Sequence, residues 1–175
     1  MSDEYQDWEI PPANRPKPED CLFNLDAALA SIFALRSEVP EDAFTAQVLG
    51  TERAGNGVLI SADGLILTIG YLIAEAESVW LLSNDGDAIP AHVVAYDHHT
   101  GFGLVQALAK ISSAPIEIGD SRTAESGDPV IMAGHGGMRH ALSAWIAAKR
   151  EFAGYWEYLL DEAIFTSPPH PNWGG

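Results

Sequence analysis

Apolar residues in this chain come in runs of three to five, separated by polar segments that carry glycine. Val58-Leu59-Ile60 is followed by Asp63-Gly64 and then by Leu65-Ile66-Leu67-Thr68. Val79-Trp80-Leu81-Leu82 is followed by Asp85-Gly86 and by Ala91 to Tyr96. Such runs are too short for helices, and Asp-Gly supplies the positive φ that a two-residue hairpin turn requires, so each set predicts a β-hairpin. Upstream, IFALRSEV alternates as a strand does, and Asn24 or Asp26 is placed to cap a short helix through Leu25, Ala28, Leu29 and Ile32. Leu108 to Pro115 reads as a crossover. Val130 to Ala133 and the aromatic run around Phe152, Tyr155, Trp156 and Tyr158 read as strands of a second unit. Short strands with glycine turns and few long helical periodicities predict an all-β barrel or sandwich, without internal repeats. Residues 1–20 hold Pro11, Pro12, Pro16 and Pro18 among acidic residues and predict a flexible tail, because so polar a segment buries too little to offset its ordering entropy.

Composition narrows the partners. The 175 residues are 47% apolar, enough for a core, and carry 25 acidic against 9 basic side chains, a formal charge of -16. Nucleic acid and anionic membranes are disfavoured, since both are held by lysine and arginine. A protein or peptide partner, a basic one included, fits better. The opening MSDEYQDWEIPP is acidic and lacks the apolar run of a secretory signal. No stretch approaches the roughly 18 apolar residues of a spanning helix. The single Cys21 forms no intrachain disulfide. These features point to the cytoplasm.

Three segments carry candidate chemistry: GNGVLISADGLILTIGYLI from Gly55 to Ile73, YDHHTGFGLV from Tyr96 to Val105, and PHPNWGG from Pro169 to Gly175. With AEAESVWLLSNDGDAIPAHVVAYD and IEIGDSRTAESGDPVIMAGH between them, their order and spacing resemble the HtrA (Deg) family of trypsin-like serine proteases. That resemblance implies a chymotrypsin-like double β-barrel. Residues 21–108 would form the first barrel, 109–118 the crossover, and 119–175 a second barrel that is incomplete at its C-terminal side. On the family pattern Tyr71 falls on the general-base histidine, Gly101 on the orienting aspartate and Trp173 on the nucleophilic serine. Pro171 falls on a glycine whose backbone N–H helps to bind the oxyanion. In the family, the serine block leads into strands that close the second barrel. Here, therefore, either a longer polypeptide or another chain, a second copy included, is expected to cover the open edge.

The resemblance implies an architecture without its chemistry. A phenol has a pKa of about 10 and does not accept a proton at neutral pH as imidazole does. Glycine has no side chain, indole offers one N–H donor and no nucleophile, and proline has no N–H. The expected activity is binding by a proteolytically inactive domain, with Tyr71, Trp156, His170 and Trp173 as candidate contacts. The alternative is a divergent serine-type hydrolase with a rebuilt site, for which Ser143 and Ser167 are candidate hydroxyls. A purely structural domain of a larger polypeptide is a third reading. Asp97, His98 and His99 form a compact cluster, but adjacent histidines point to opposite sides of an extended strand and read as a loop rather than a metal site. His135 and His140 flank Gly136-Gly137, which lacks the lysine and the helix of a phosphate loop. No cofactor and no metal is expected.

Overall fold

The computed structural model describes residues 8–154 and 159–171. Six strands close into a barrel: β1 (Ile32–Glu38), β2 (Glu52–Leu59), β3 (Leu65–Ile69), β4 (Ser78–Leu82), β5 (Ala88–Tyr96) and β6 (Phe102–Ala107). Around the barrel the order is β1-β2-β3-β6-β5-β4, every neighbour is antiparallel, and β4 returns to β1. Inward positions alternate along each strand and fill the interior with Phe33, Leu35, Leu59, Ile66, Val79, Leu81, Ile89 and Val105, with Leu72 and Ile73 capping one end. The glycine turns fall where expected, but neither is a two-residue loop. Ile60 N–H donates to Leu65 O and Gly64 N–H to Ser61 O, so four residues make the first turn. Ser83 N–H donates to Asp87 O and Gly86 N–H to Ser83 O in the second. Gly64 and Gly86 have φ of 91° and 91°, whereas the preceding aspartates stay at negative φ. Each Asp-Gly therefore ends an ordinary turn with one left-handed glycine, where a two-residue type I′ loop would need positive φ at both.

The second half is a three-stranded antiparallel sheet, β7 (Pro129–Ala133), β8 (Ala141–Ala153) and β9 (Leu159–Ser167), in that spatial order. It is the incomplete second barrel. Phe152 lies on β8 and meets Phe165 of β9 edge to face, with centroids 5.9 Å apart. Tyr155, Trp156 and Tyr158 lie outside the described residues, as does Trp173. The predicted helix is α1 (Leu25–Ala30), and Asn24 is its cap, the side chain accepting from Ala27 N–H at 3.0 Å. Its Leu25 and Leu29 pack with Ile32 and Ala141, with Ile131, Ala133 and Met138 alongside, so α1 wedges between the two halves. A second short helix, α2 (Ala46–Leu49), sits in the loop between β1 and β2.

The flexible tail expected over residues 1–20 needs correction for residues 8–20. Ile10 is buried and its N–H donates to Arg139 O at 2.8 Å. Arg15 Nε donates to Ile10 O at 2.7 Å, and Arg15 and Arg139 both pair with Glu9. The prolines open two 3₁₀ turns, Pro12–Asn14 and Pro18–Asp20. Composition averaged over twenty residues hides one apolar anchor, and prolines that fix φ lower the entropy lost on ordering the strap.

Candidate functional site

β3 runs into a 3₁₀ turn, Gly70–Leu72, that holds Tyr71 at the end of the barrel. The loop from β5 to β6 comes to meet it: Gly70 N–H donates to Gly101 O at 2.7 Å. Gly101 has φ of 76°, a left-handed backbone. Its loop is closed by Asp97, whose carboxylate accepts from Thr100 Oγ1 at 2.7 Å and His99 N–H at 3.0 Å. The Thr100 hydroxyl and then the His99 N–H hold the Asp97 carboxyl below its ordinary range. Asp97 is thus committed to its own turn. Gly70 has a packing reason: a Cβ there would lie 2.0 Å from the Tyr96 ring. That bond brings the Tyr71 and Gly101 segments together, and Tyr71 packs partly on the barrel core; Trp173, which the family pattern groups with them, lies outside the described residues.

What fixes this corner was not read from the sequence. Arg53, on β2, is 4% exposed. Its Nη1 donates to Tyr71 O at 2.6 Å and Ala74 O at 3.0 Å, Nε to Gly50 O at 3.2 Å and Nη2 to Thr45 Oγ1 at 2.7 Å. Burial lowers its pKa and the Glu75 charge opposes that. Glu75, at φ 59°, accepts from Thr45 Oγ1 at 2.6 Å, Thr45 N–H at 2.7 Å and Phe44 N–H at 3.1 Å. The Thr45 hydroxyl donates to Glu75 while accepting from Arg53, so it is committed on both sides and is no free nucleophile. Ser37 Oγ bonds to Leu72 O from below. The available signal for Arg53 was that it is the one lysine or arginine between residues 37 and 101.

These groups wall a cavity of about 430 Å³, lined by Phe44, Thr45, Val48 and Leu49 on one side, Tyr71, Ala74 and Glu75 beneath, and Tyr96 and His98 opposite. His170 does not reach it. His170 is buried at the junction of the two halves, where it lines a smaller cavity of about 140 Å³ with Trp8, Asn56, Met132, Ala133, Gly134 and His135. Trp8 stacks on His140 with centroids 4.4 Å apart and meets His170 edge-on at 5.4 Å. The ring nitrogens face backbone carbonyls: His135 Nε2 lies 3.1 Å from Ser83 O, His140 Nδ1 2.5 Å from His135 O, His140 Nε2 3.1 Å from Trp8 O, and His170 Nε2 3.0 Å from His140 O. These contacts tie the strands and the strap together. Asn56 and Asn84 complete the seam, accepting from His135 N–H and Gly136 N–H, each at 2.8 Å. Ser143 is exposed near the start of β8 and Ser167 ends β9. Pro171, next to His170, is exposed. Among the described residues, no three His, Cys, Asp or Glu side chains gather as metal ligands.

The family model for the trypsin-like peptidase domain matches residues 55–175. Proteins of Pseudomonas putida and Bartonella henselae, each called a probable periplasmic serine endoprotease DegP-like, are 27% and 27% identical over 97 residues. The match covers 55% of this chain and 20% or 19% of theirs, so the chain spans about a fifth of the length of these relatives. Among solved structures, the HtrA-type protease AlgW with tripeptide superposes with a TM-score of 0.60 at 19% identity, over 76% of this chain and 41% of that one. The Rv3671c protease in its inactive form gives 0.61 at 21% identity, over 92% of this chain and 77% of that one. At such identities the superpositions show the chymotrypsin-like fold.

Proposed function

The chain belongs to the trypsin-like peptidase domain family, and from that premise, with its similarity to DegP-like and HtrA-type proteases, we propose that it is a proteolytically inactive member that acts by holding a protein or peptide partner. One observation carries the reading. The corner where Gly70 N–H meets Gly101 O unites the two segments that would present base and orienting acid, and it presents a phenol and no side chain. Loss of the serine or histidine alone costs a comparable triad on the order of 10⁶ in turnover. The family pattern also puts Pro171 where an oxyanion donor is needed, and losing one such donor costs about 10² to 10³. An aspartate at 101 would have to adopt the left-handed backbone that Gly101 occupies. The lone Cys21 suits work in a reducing compartment such as the cytoplasm, whereas the DegP-like relatives are named as periplasmic.

The test is direct. Purified protein incubated with casein should release no peptides, and a fluorophosphonate probe should label no serine, because labelling needs an activated hydroxyl. Stoichiometric labelling that disappears with Ser143→Ala or Ser167→Ala would overturn this reading and establish a rebuilt hydrolase.

A further inference from the structure

We infer that the cavity beside Tyr71 is a peptide-anchor site, taking one large apolar side chain of a partner segment flanked by lysine or arginine; this rests on the binding role just proposed. The cavity belongs to the first barrel alone, every lining residue falling between Phe44 and His98. At about 430 Å³ it falls in the range of small-ligand pockets, roughly 300–1,000 Å³. That is room for an anchor side chain with some of its own backbone. Its rim is apolar and open: Phe44 is 91% exposed and Val48 60% exposed. Both stand on the α2 loop, and an apolar occupant would remove both from water.

The walls are already in place. Glu75 holds the backbone of Phe44 and Thr45, and Arg53 holds Tyr71 O, Ala74 O and the Thr45 hydroxyl. A site fixed from beneath by two charged groups needs little ordering when a ligand enters, so more of the contact energy appears as affinity.

Charge selects the occupant. Residues 37–101 carry ten carboxylates against one arginine, Arg53, and that arginine is buried under the cavity floor. Glu41 and Asp42 are exposed on the α2 loop, Glu75 and Glu77 on the segment after Tyr71, and Asp97 beside His98. A basic segment is drawn to such a surface and an acidic one repelled. A second copy, itself at -16, is a poor match for the same reason.

The experiment uses three fluorescein-labelled synthetic peptides: a basic one with a central Leu-Phe pair between lysines, the same peptide with Gly-Ser at the centre, and the same with glutamates for lysines. Anisotropy titrations should show the first binding about tenfold or more tightly than either other, as expected when one buried anchor dominates. Its affinity should fall severalfold on raising salt from 0.05 to 0.3 M. Val48→Lys, at an exposed position, should weaken binding about tenfold while leaving the thermal midpoint unchanged. Equal binding by Val48→Lys would place the peptide elsewhere and overturn the inference, as would equal affinity for the acidic peptide or no binding by any. Self-association of the wild type that Val48→Lys abolishes in sedimentation would make a second copy the occupant, which also overturns it. Mass spectrometry of the recovered peptide separates the two claims. Cleavage with Val48-dependent binding would refute the inactive reading and support the site.

Discussion

The two halves of this molecule are made of the same kind of strand and differ in closure. In the first, six strands meet end to end, and the interior holds a continuous cluster from Phe33 to Ala107. In the second, three strands form an open sheet in which, among the described residues, β7 and β9 each pair on one side. Burial there is concentrated at the start of β8, at Ala141, Leu142, Ala144 and Ile146, while Trp145, Phe152, Leu159 and Ile164 are exposed. Its contact with the rest comes from α1, from the Trp8–Ile10 strap, and from Asn56, Ser83 and Asn84 of the first half. Closure is therefore expected to concentrate stability in the first barrel, while the second, among the described residues, leaves strand edges unpaired and apolar side chains exposed. The preformed cavity is on the stable half. The family pattern puts its oxyanion donor and its nucleophile at Pro171 and Trp173, late in the sequence.

The sharpest way to break this comparison is to truncate one apolar side chain in each half. Leu35 is 0% exposed and Ile164 is 41% exposed. Leu35→Ala should cost about 2–5 kcal/mol, with a cavity left in the barrel. Ile164→Ala should cost under about 1 kcal/mol. Denaturant unfolding measures both, and amide exchange should protect β1 and β2 more than β9 in the wild type. Equal costs with equal protection would mean that the open sheet is as well anchored as the barrel.

A smaller effect is expected at the corner. Arg53→Met keeps volume but strands Tyr71 O and Ala74 O without their donor, and removes the countercharge of Glu75. The expected loss is about 3 kcal/mol, with amides of residues 70–75 exchanging faster and those of β8 unchanged. A variant as stable as the wild type would show that water takes over the arginine's bonds, and that the cavity floor is not set by them.

The barrel was legible because its signals are local. Strands of five to nine residues alternate, and Asp63-Gly64 and Asp85-Gly86 mark their turns, so the order of elements followed from pattern and the Tyr71–Gly101 approach from the family resemblance. The first part of β8 escaped the pattern for a physical reason: Leu142-Ser143-Ala144-Trp145-Ile146-Ala147 has a period of two in burial, but alanine is a poor strand former and blurs the contrast between faces. The strap was misread because one residue, Ile10, anchors it. Arg53 and the cavity were illegible because both depend on long-range returns of the chain: nothing near Arg53 in sequence announces the carbonyls of Tyr71 and Ala74, and the loop that carries α2 shows its exposed Phe44 and Val48 as a cavity rim once Tyr96 and His98 stand opposite. His170 and Tyr71, grouped as candidate contacts, line different cavities because the sheet seam draws His170 to Trp8 and His140.

The smallest expected effect sharpens the comparison by pH. The Thr45 hydroxyl first, then the Thr45 and Phe44 N–H groups, with a contribution from the Arg53 charge, hold the Glu75 carboxyl below its ordinary range. A carboxyl whose folded pKa lies below its unfolded one contributes stability that is fully present above the unfolded value, and it is lost as the pH falls through the folded one. Acid should therefore release the α2 loop as the pH falls through the carboxylate range. Glu75 is exposed, so the effect is screened and belongs to the loop rather than to global stability. Amide exchange at Phe44 and Thr45, corrected for its intrinsic pH dependence, should quicken as the pH is lowered from neutrality through the carboxylate range. Glu75→Gln should show quick exchange there already at neutral pH, with little further change on acidification. If Phe44 and Thr45 kept their protection in both experiments, Glu75 would not be what holds the rim of the cavity, and packing of Ala46 and Leu49 alone would have to account for its shape.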